Sequence, residues 1–275
     1  MFFDLGVQRT LEFTQKASYT FDDLVRIVQL LRTPQGCPWD REQTHSSIRQ
    51  NFIEETYEVV EAIDQKDTGL LKEELGDVLL QVVFHAQIEA EAGSFNINDV
   101  SDGICKKLII RHPHVFSDLK ADTPEKVLSN WDRIKMETKS QSTQGQAMES
   151  ISKALPSLMR STKIQQKAAK TGFDWKSADG AFAKVEEELC ELKNAFAKDD
   201  ACACEEELGD LLFSVVNVSR FVGADAEKAL YGACDKFIKR FSALEQLAAQ
   251  RGIDVKETPL NQLDSLWDEV KECQK

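Results

Sequence analysis

The chain repeats one acidic pattern in its two halves, and this repeat constrains its fold more than any other feature. Four acidic positions of the first half recur 133 residues later (188 − 55 = 133, and likewise for the other three). They are Glu55, Glu58, Glu74 and Asp77 in the first half, and Glu188, Glu191, Glu207 and Asp210 in the second. Since four coincident offsets indicate a duplication, the sequence predicts two tandem copies of one structural unit.

Apolar residues around these acids recur at the spacing of a helix, as Phe52, Val59 and Ile63 do, and no segment alternates as a strand would. The sequence therefore predicts an all-α fold with two antiparallel helices in each half. Further helices are expected near 22–32, 97–110 and 124–137, or at their counterparts. Because a two-helix hairpin cannot bury its apolar stripe alone, we expect a four-helix bundle, within a half or across a dimer.

The segment 138–150 is polar and poor in apolar residues, which is typical of a linker or exposed loop. The position of this segment predicts that the chain has four parts. These are an N-terminal extension (1–20), an N-terminal domain (21–137), the linker (138–150) and a C-terminal domain (151–275).

Composition excludes several classes of partner. A net charge of −13 without a basic stripe argues against nucleic acid as a partner. No run of about 18 apolar residues exists, and Asp4 and Glu12 lie where a signal peptide needs basic residues, so we expect a cytoplasmic protein without a membrane partner. The seven cysteines are odd in number and lack a CxxC pair, which argues against a disulfide framework or a zinc site.

The acids predict a metal site. Residues three apart lie about 60° apart on a helix, so each acidic pair borders the apolar stripe and can face its neighbour across the hairpin. Converging carboxylates repel one another unless cations neutralise them, and oxygen-only ligands favour Mg²⁺, with Mn²⁺ as a substitute. Magnesium commonly completes its shell with phosphate, so a phosphate-handling site is expected. Glycine inside a helix is unfavourable, so Gly76 and Gly209 indicate close approach by a neighbouring helix or a ligand. Ordinary packing between helices is the alternative explanation.

A family resemblance rests on these motifs. Glu54-Glu55-Thr56-Tyr57-Glu58 followed by Glu74-Leu75-Gly76-Asp77 fits an EExxE–ExxD pattern, and the second half fits it again from Glu187 to Asp210. With GCPWD at 36–40, RHPHVF at 111–116 and GFDW at 172–175, the chain resembles the tandem MazG nucleotide pyrophosphohydrolases from about residue 21 onward. The resemblance implies an all-α, Mg²⁺-dependent enzyme, usually a homodimer. Such an enzyme hydrolyses nucleoside triphosphates of broad base range to monophosphate and pyrophosphate, mainly in its C-terminal copy.

The resemblance also implies roles for individual residues. Glu188, Glu191, Glu207 and Asp210 would hold magnesium, Lys236 and Arg240 would meet the phosphates, and Lys184, Phe173, Trp175 and Trp267 would lie near the nucleotide. Glu187 is the candidate to orient or deprotonate the attacking water. The second, N-terminal site would comprise Glu54, Glu55, Glu58, Glu74, Asp77, Lys107, Arg111 and Lys135.

One position departs from the family pattern. Ala203 lies where the pattern has a lysine, four residues before Glu207, so a phosphate contact is missing or supplied elsewhere. This departure favours an alternative, a non-catalytic nucleotide-binding or regulatory helical protein. A narrower all-α hydrolase of the dUTPase or phosphoribosyl-ATP type is a further alternative, against which the tandem copies and the GCPWD element argue.

Overall fold

The protein was analysed as a computed structural model that describes residues 13–117 and 123–273. Within these ranges the chain forms thirteen α-helices and no β-strand, which confirms the all-α prediction. The chain divides into two compact units, Met1–Ile134 and Lys135–Lys275, here called the first and second units. Residues 1–12 of the predicted N-terminal extension lie outside the described residues. Where the structure is described, no helix combines the length and the apolar character needed to cross a bilayer.

The first unit is built around a helical hairpin. Its helices are α1 (Phe21–Leu31), α2 (Pro38–Glu42), α3 (Arg49–Gln65), α4 (Thr68–Ala92), α5 (Ile97–Arg111), α6 (Pro113–Phe116) and the greater part of α7 (Pro124–Thr138). The last residues of α7, from Lys135 onward, belong to the second unit. Helix α3 packs against α4. The turn between them has Lys66 in the left-handed region (φ 57°), followed by Asp67, whose side chain accepts hydrogen bonds from the first amides of α4. This capped two-residue connection makes the two acid-bearing helices antiparallel.

The core of the first unit lies between α1 and α4. Val28, Ile48, Val83 and Phe84 are buried against one another there. Arg32 covers this core, with its guanidinium carbon 5.2 Å from the centre of the Phe84 ring. Two hydrogen bonds of 2.9 Å tie the same guanidinium to the carboxylate of Glu91, so the buried cation is paired.

The second unit repeats the hairpin. Its helices are α8 (Gln144–Glu149), α9 (Ser157–Ala169), α10 (Ala178–Ala197), α11 (Ala201–Phe221), α12 (Ala226–Gln250) and α13 (Leu260–Cys273). Helices α10 and α11 pack together, and α9 lies against α11. Helix α12 packs on α9 and α13, with Leu244, Ala248, Leu266 and Val270 buried between α12 and α13.

The segment 138–150 is largely exposed and contains a short helix, α8. Thr143 and Gln146 form a capping box that starts α8, and Ala147 is fully buried. Helix α8 packs against α9, so this stretch belongs to the fold of the second unit. The polar composition did not indicate this helix, because the residues that cap a helix are polar like those of a loop.

Candidate functional site

The hairpin of the second unit gathers five acids from α10 and α11. Carboxylate oxygens of Glu187, Glu188 and Glu191 lie within 4.8 Å of one another, and so do those of Glu188, Glu207 and Asp210. Glu188 belongs to both groups and is only 4% exposed. The structure therefore brings together all four acids predicted to hold a metal, with Glu187 beside them.

The acidic cluster carries more negative charge than its neighbours neutralise. Lys184 Nζ lies 2.8 Å from Glu187 Oε1 and 2.5 Å from Glu188 Oε1, and these hydrogen bonds raise the pKa of the lysine. Burial raises the pKa of Glu207, and the charges of Glu191 and Glu188 raise it further. Among the described residues one lysine pairs with this group of five carboxylates, an arrangement of oxygen ligands that could hold a divalent cation.

A cavity of about 650 Å³ adjoins the acids. Its lining includes Glu188 and Asp210, the predicted substrate residues Phe173, Trp175 and Lys184, and Phe213. Further lining residues are Ile164, Gln165, Ala168, Gly172, Asp174, Ala181, Ser214, Asn217 and Arg220. The cavity thus joins carboxylates to aromatic surface, and its volume suits a nucleotide-sized ligand.

Two contacts hold the loop 170–177 at the cavity. Arg220 Nη2 of α11 lies 2.6 Å from Asp174 Oδ2. The Trp175 ring lies so close to Gly180 that a Cβ added to this glycine would sit 2.7 Å from a ring carbon. Glycine at position 180 therefore lets the indole pack against the start of α10.

The first unit forms a smaller acidic group. Carboxylate oxygens of Glu55, Glu58 and Glu74 lie within 4.8 Å of one another. Burial raises the pKa values of Glu55 and Glu74, and the charge of Asp77 raises both further. Three of the four repeated acids of the first half therefore lie close together, and the charge of the fourth, Asp77, acts on two of them. Glu54 is exposed and accepts a hydrogen bond of 3.2 Å from Gln50.

Comparison with known proteins assigns the family. The model of the MazG nucleotide pyrophosphohydrolase domain matches residues 43–116 and 177–243. The nucleoside triphosphate pyrophosphohydrolase/pyrophosphatase MazG of Thermotoga maritima is 47% identical over 94% of this chain and 98% of its own length. The nucleoside triphosphate pyrophosphohydrolase of Escherichia coli K12 is 43% identical over 91% of this chain and 96% of its own length. The chain belongs to the MazG nucleotide pyrophosphohydrolase family.

A shorter match covers part of a third relative. The nucleoside triphosphate pyrophosphohydrolase of Mycolicibacterium smegmatis is 36% identical over 55% of this chain and 46% of its own length. Both segments matched by the MazG domain model contain an acidic hairpin, α3–α4 in the first and α10–α11 in the second. The repeat found in the sequence therefore corresponds to two MazG segments.

Three residues predicted to lie near the nucleotide or its phosphates do not line the cavity of their own chain. Lys236 and Arg240 lie on α12, which packs on α9 and α13. Trp267 packs against the buried cluster between α12 and α13, with its ring centre 5.2 Å from that of Phe237. Their roles at the nucleotide stay predictions. Ala203 lies in the first turn of α11, where its amide donates to the capping residue Asp200.

The basic residues predicted for the first site lie on α5 and α7. Lys107 is exposed on α5. Arg111 places its guanidinium carbon 5.1 Å from the centre of the Trp131 ring. Lys135 lies on α7 and interacts with another residue of the protein. Their predicted phosphate contacts stay predictions.

The two glycines inside the ExxD motifs have open surroundings in the chain. A Cβ added at Gly76 or Gly209 would meet no heavy atom of the described residues within 4 Å, apart from its own helix and chain neighbours. No other helix within the described residues approaches these glycines, so that explanation is wrong for this part of the chain, while approach by a ligand stays a prediction. Leu75 and Leu208 beside them are exposed as well, so this face of each hairpin is uncovered.

The sequence reasoning missed the polar residues of the cavity beyond the acids. Ser214 and Asn217 follow Asp210 at helical spacing on α11, and this spacing is a signal that could have found them. Gln165 on α9 carries no such signal, since its neighbour Gln166 is equally polar but exposed.

The two units differ at the positions that line this cavity. Asn217 corresponds to Phe84 in the first half by the same offset (217 − 84 = 133). Phe84 is 7% exposed and packs in the core of the first unit, whereas Asn217 lines the cavity of the second. At this one position the first unit therefore has a buried apolar side chain where the second has a polar residue at the cavity.

Proposed function

We propose that the second unit hydrolyses nucleoside and deoxynucleoside triphosphates of broad base range to the monophosphate and pyrophosphate, with Mg²⁺ as cofactor. The observation that carries this proposal is one cavity lined by acids and by aromatic residues, which suits a triphosphate at one end and a base at the other. The printed names of the relatives from Thermotoga maritima and Escherichia coli support the same reaction class.

The donor set fits magnesium. Glu188, Glu191, Glu207 and Asp210 supply oxygen ligands only, at spacings that one or two hard cations can share. When bound, Mg²⁺ neutralises part of this cluster and makes the α-phosphorus more electrophilic. Mn²⁺ has similar ligand preferences and is the expected substitute.

Other residues of the cavity and the acidic cluster fit the remaining roles in water activation, phosphate binding and base stacking. Glu187 has a side chain 57% exposed and held by Lys184, so it suits the role of orienting or deprotonating the attacking water. Lys184 is protonated and lines the cavity, where it would also attract phosphate oxygens. Phe173 and Trp175 offer faces on which any base can stack, which suits a broad base range.

We further propose a homodimer. Helices α10, α11 and α12 leave large apolar side chains exposed. These are Phe182, Leu189 and Phe196, then Leu208, Leu212 and Val215, then Leu230, Tyr231, Phe237, Ile238 and Phe241. A second copy that covers this surface would complete a four-helix bundle around the hairpin. Lys236 and Arg240 lie among these residues on α12, so such a partner would lie next to both.

Product analysis tests the reaction. The protein is incubated with each nucleoside triphosphate and Mg²⁺, and the products are separated. Monophosphate plus pyrophosphate is expected, whereas diphosphate plus phosphate would contradict the proposal. Removing Mg²⁺ with a chelator is expected to abolish turnover.

A matched pair of variants identifies the active unit. Glu191→Gln and Glu58→Gln change corresponding acids of the two units. Loss of at least a hundredfold in kcat is expected for Glu191→Gln, because a lost metal ligand removes transition-state stabilisation. Little change is expected for Glu58→Gln. Loss only in the Glu58 variant would move the activity to the first unit.

Ala203 favours a second candidate function, nucleotide binding without turnover, since the family pattern has a lysine there. The same assay separates the two. Nucleotide binding by calorimetry with no product formed would establish the binding role and reject the hydrolase.

A further inference from the structure

Arg220 joins two sides of the cavity in the second unit. It lies on α11 and lines the cavity together with Asp174, which belongs to the loop 170–177. Arg220 Nη2 lies 2.6 Å from Asp174 Oδ2, and the two side chains are 15% and 24% exposed. Water and salt screen an ion pair that is shielded to this degree less than they screen a surface pair. The pair therefore holds the loop on α11.

A second hydrogen bond fixes the direction of the guanidinium. Arg220 Nη1 donates to Asn217 Oδ1 at 2.9 Å, one turn back on the same helix. The guanidinium carbon also lies 5.9 Å from the centre of the Phe221 ring. Because a guanidinium presents its donors in a rigid planar fork, the bond to Asn217 sets the direction in which Nη2 meets Asp174. Helix α11 itself thus supports the arginine to which the loop is bound.

The pair lies at the end of the cavity that is farther from the acids. The cavity residues on α11 are Asp210, Phe213, Ser214, Asn217 and Arg220, so the cavity follows this helix. Ten residues separate Asp210 from Arg220 (220 − 210 = 10), which is about 15 Å along the helix axis. A separation of this size places Arg220 at the nucleoside end of a triphosphate that the acids bind.

The loop that Arg220 holds carries the aromatic surface proposed for the base. Phe173 and Trp175 flank Asp174 in the sequence and line the cavity. The main-chain amide of Trp175 donates to Asp174 Oδ1 at 3.0 Å, so one carboxylate joins this amide to the guanidinium of Arg220. Phe173 is 82% exposed, so packing contributes little to its position. The placement of both rings therefore depends on Asp174 and Arg220.

We propose that Arg220 is a positioning residue for nucleoside binding, which acts through Asp174 to hold Phe173 and Trp175 where the base stacks. This inference rests on the proposed function of the second unit. A loop that is not held occupies the binding position for only part of the time, and the apparent dissociation constant rises by the inverse of that fraction. Since the reacting phosphate lies at the acids, loss of Arg220 raises KM and leaves kcat nearly unchanged.

Ligands that contain or lack a nucleoside test this role. Arg220→Met keeps the length of the side chain and removes both hydrogen bonds, and it is expected to raise KM for ATP and for CTP about tenfold. Inorganic triphosphate contains the phosphates alone, so its inhibition constant against ATP should change by less than about twofold. An equal rise for ATP and inorganic triphosphate would overturn the inference, because Arg220 would then act on the phosphates or on the whole fold.

A double-mutant cycle tests whether Arg220 acts through the loop. Asp174→Asn breaks the same ion pair and keeps an acceptor for the amide of Trp175. It is expected to raise KM about tenfold, and the double variant should raise KM no further, because both changes remove one interaction. Rises in KM that multiply in the double variant would overturn the inference, since the two residues would then act independently.

Another ion pair of the same unit provides the matched control. Arg251 Nη2 lies 2.6 Å from Glu269 Oε1, but both side chains are 44% exposed and neither residue is part of the cavity lining. Exposed pairs of this kind contribute little to stability, so Arg251→Met should leave KM, kcat and Tm unchanged. A tenfold rise in KM for Arg251→Met as well would overturn the specific role of Arg220.

Proteolysis measures the hold on the loop in the absence of any nucleotide. Lys176 follows Trp175 and is exposed, so trypsin can cleave after it. Arg220→Met is expected to raise the rate of this cleavage at least about fivefold, whereas Arg251→Met should match the wild type. An unchanged rate would overturn the inference. If Arg220→Met does not fold, Asp174→Asn takes its place in this assay and in the comparison of ATP with inorganic triphosphate.

Binding without turnover separates this inference from the proposed function. Calorimetry with α,β-methylene-ATP and Mg²⁺ should show a dissociation constant about tenfold higher for Arg220→Met than for wild type. If ATP is not hydrolysed but this ratio appears, the hydrolase proposal fails and the role of Arg220 stands. If ATP is hydrolysed and Arg220→Met keeps the wild-type KM, only the role of Arg220 fails. A wild-type protein that binds no nucleotide would overturn both.

Discussion

At the scale of single residues, burial decides how the acids of the second unit behave. Glu188 is nearly inaccessible and contributes to both carboxylate groups, and Lys184 is bonded to it. Glu207 has no cationic partner of this kind among the residues that the structure describes, and burial and its acidic neighbours raise its pKa. The cluster is therefore held together against its own repulsion by the packing of α10 on α11.

Glu207 makes the stability of the metal-free protein depend on pH. Its pKa is higher in the folded than in the unfolded chain, so the folded state binds more protons while the pH lies between the two values. The stabilising contribution of the protonated Glu207 is therefore lost as the pH rises through the folded-state pKa. Thermal unfolding in chelator, from pH 5 to pH 7, should show that the difference in Tm between Glu207→Gln and wild type grows with pH.

Magnesium should reverse this effect. Because the cation stabilises the ionised cluster, millimolar Mg²⁺ is expected to raise the Tm of wild type more than that of Glu207→Gln. Glu206→Gln changes the exposed neighbouring acid and serves as the control. An identical response to Mg²⁺ in wild type and Glu207→Gln would show that this acid is not part of a metal site.

At the scale of helices, the acidic hairpins could be predicted and the cavity could not. Residues three apart on each helix, joined by a connection of a few residues, are enough to place Glu188 opposite Glu207. The cavity also needs α9 and the loop 170–177, whose positions depend on tertiary contacts such as Arg220 with Asp174. Gln165 was missed for this reason, since nothing local distinguishes it from Gln166.

The contact between Trp175 and Gly180 can be tested at this scale. A Cβ at position 180 would lie 2.7 Å from the indole ring, so Gly180→Ala should displace Trp175 from the cavity wall. We expect KM for nucleoside triphosphates to rise about three- to tenfold with kcat nearly unchanged.

A second glycine provides the control for this change. Gly232 lies inside α12 with open space around its Cα, so Gly232→Ala should leave KM unchanged and stabilise the helix by up to about 1 kcal/mol. If Gly180→Ala behaves like Gly232→Ala in both stability and KM, the indole does not contribute to the nucleotide site.

At the scale of the whole molecule, duplication has produced two units with different interiors. Both keep the acids, yet Phe84 fills the first unit where Asn217 lines the cavity of the second. The sequence indicates the repeat because acids recur at a fixed offset, but it does not reveal this difference, which depends on what packs against α4 and α11. The difference at this position, a buried Phe84 against a cavity-lining Asn217, supports the proposal that the second unit carries the main activity.

The exposed surface of α12 makes the proposed homodimer testable. Leu230 and Phe237, and Tyr231 and Ile238, are seven residues apart and so repeat along one side of the helix. Ile238 is 61% exposed in the single chain. Burying such a side chain contributes about 1.5–3 kcal/mol, so Ile238→Asp should weaken the dimer by at least tenfold.

Light scattering coupled to size exclusion, over a dilution series, measures this change in dissociation constant. Leu260→Asp alters a side chain 72% exposed at the start of α13, outside the α10–α12 surface, and should leave the dimer intact. A monomeric wild-type protein at micromolar concentration would reject the homodimer. A dimer that resists Ile238→Asp but dissociates with Leu260→Asp would move the interface away from α12, and with it the expectation that the partner lies next to Lys236 and Arg240.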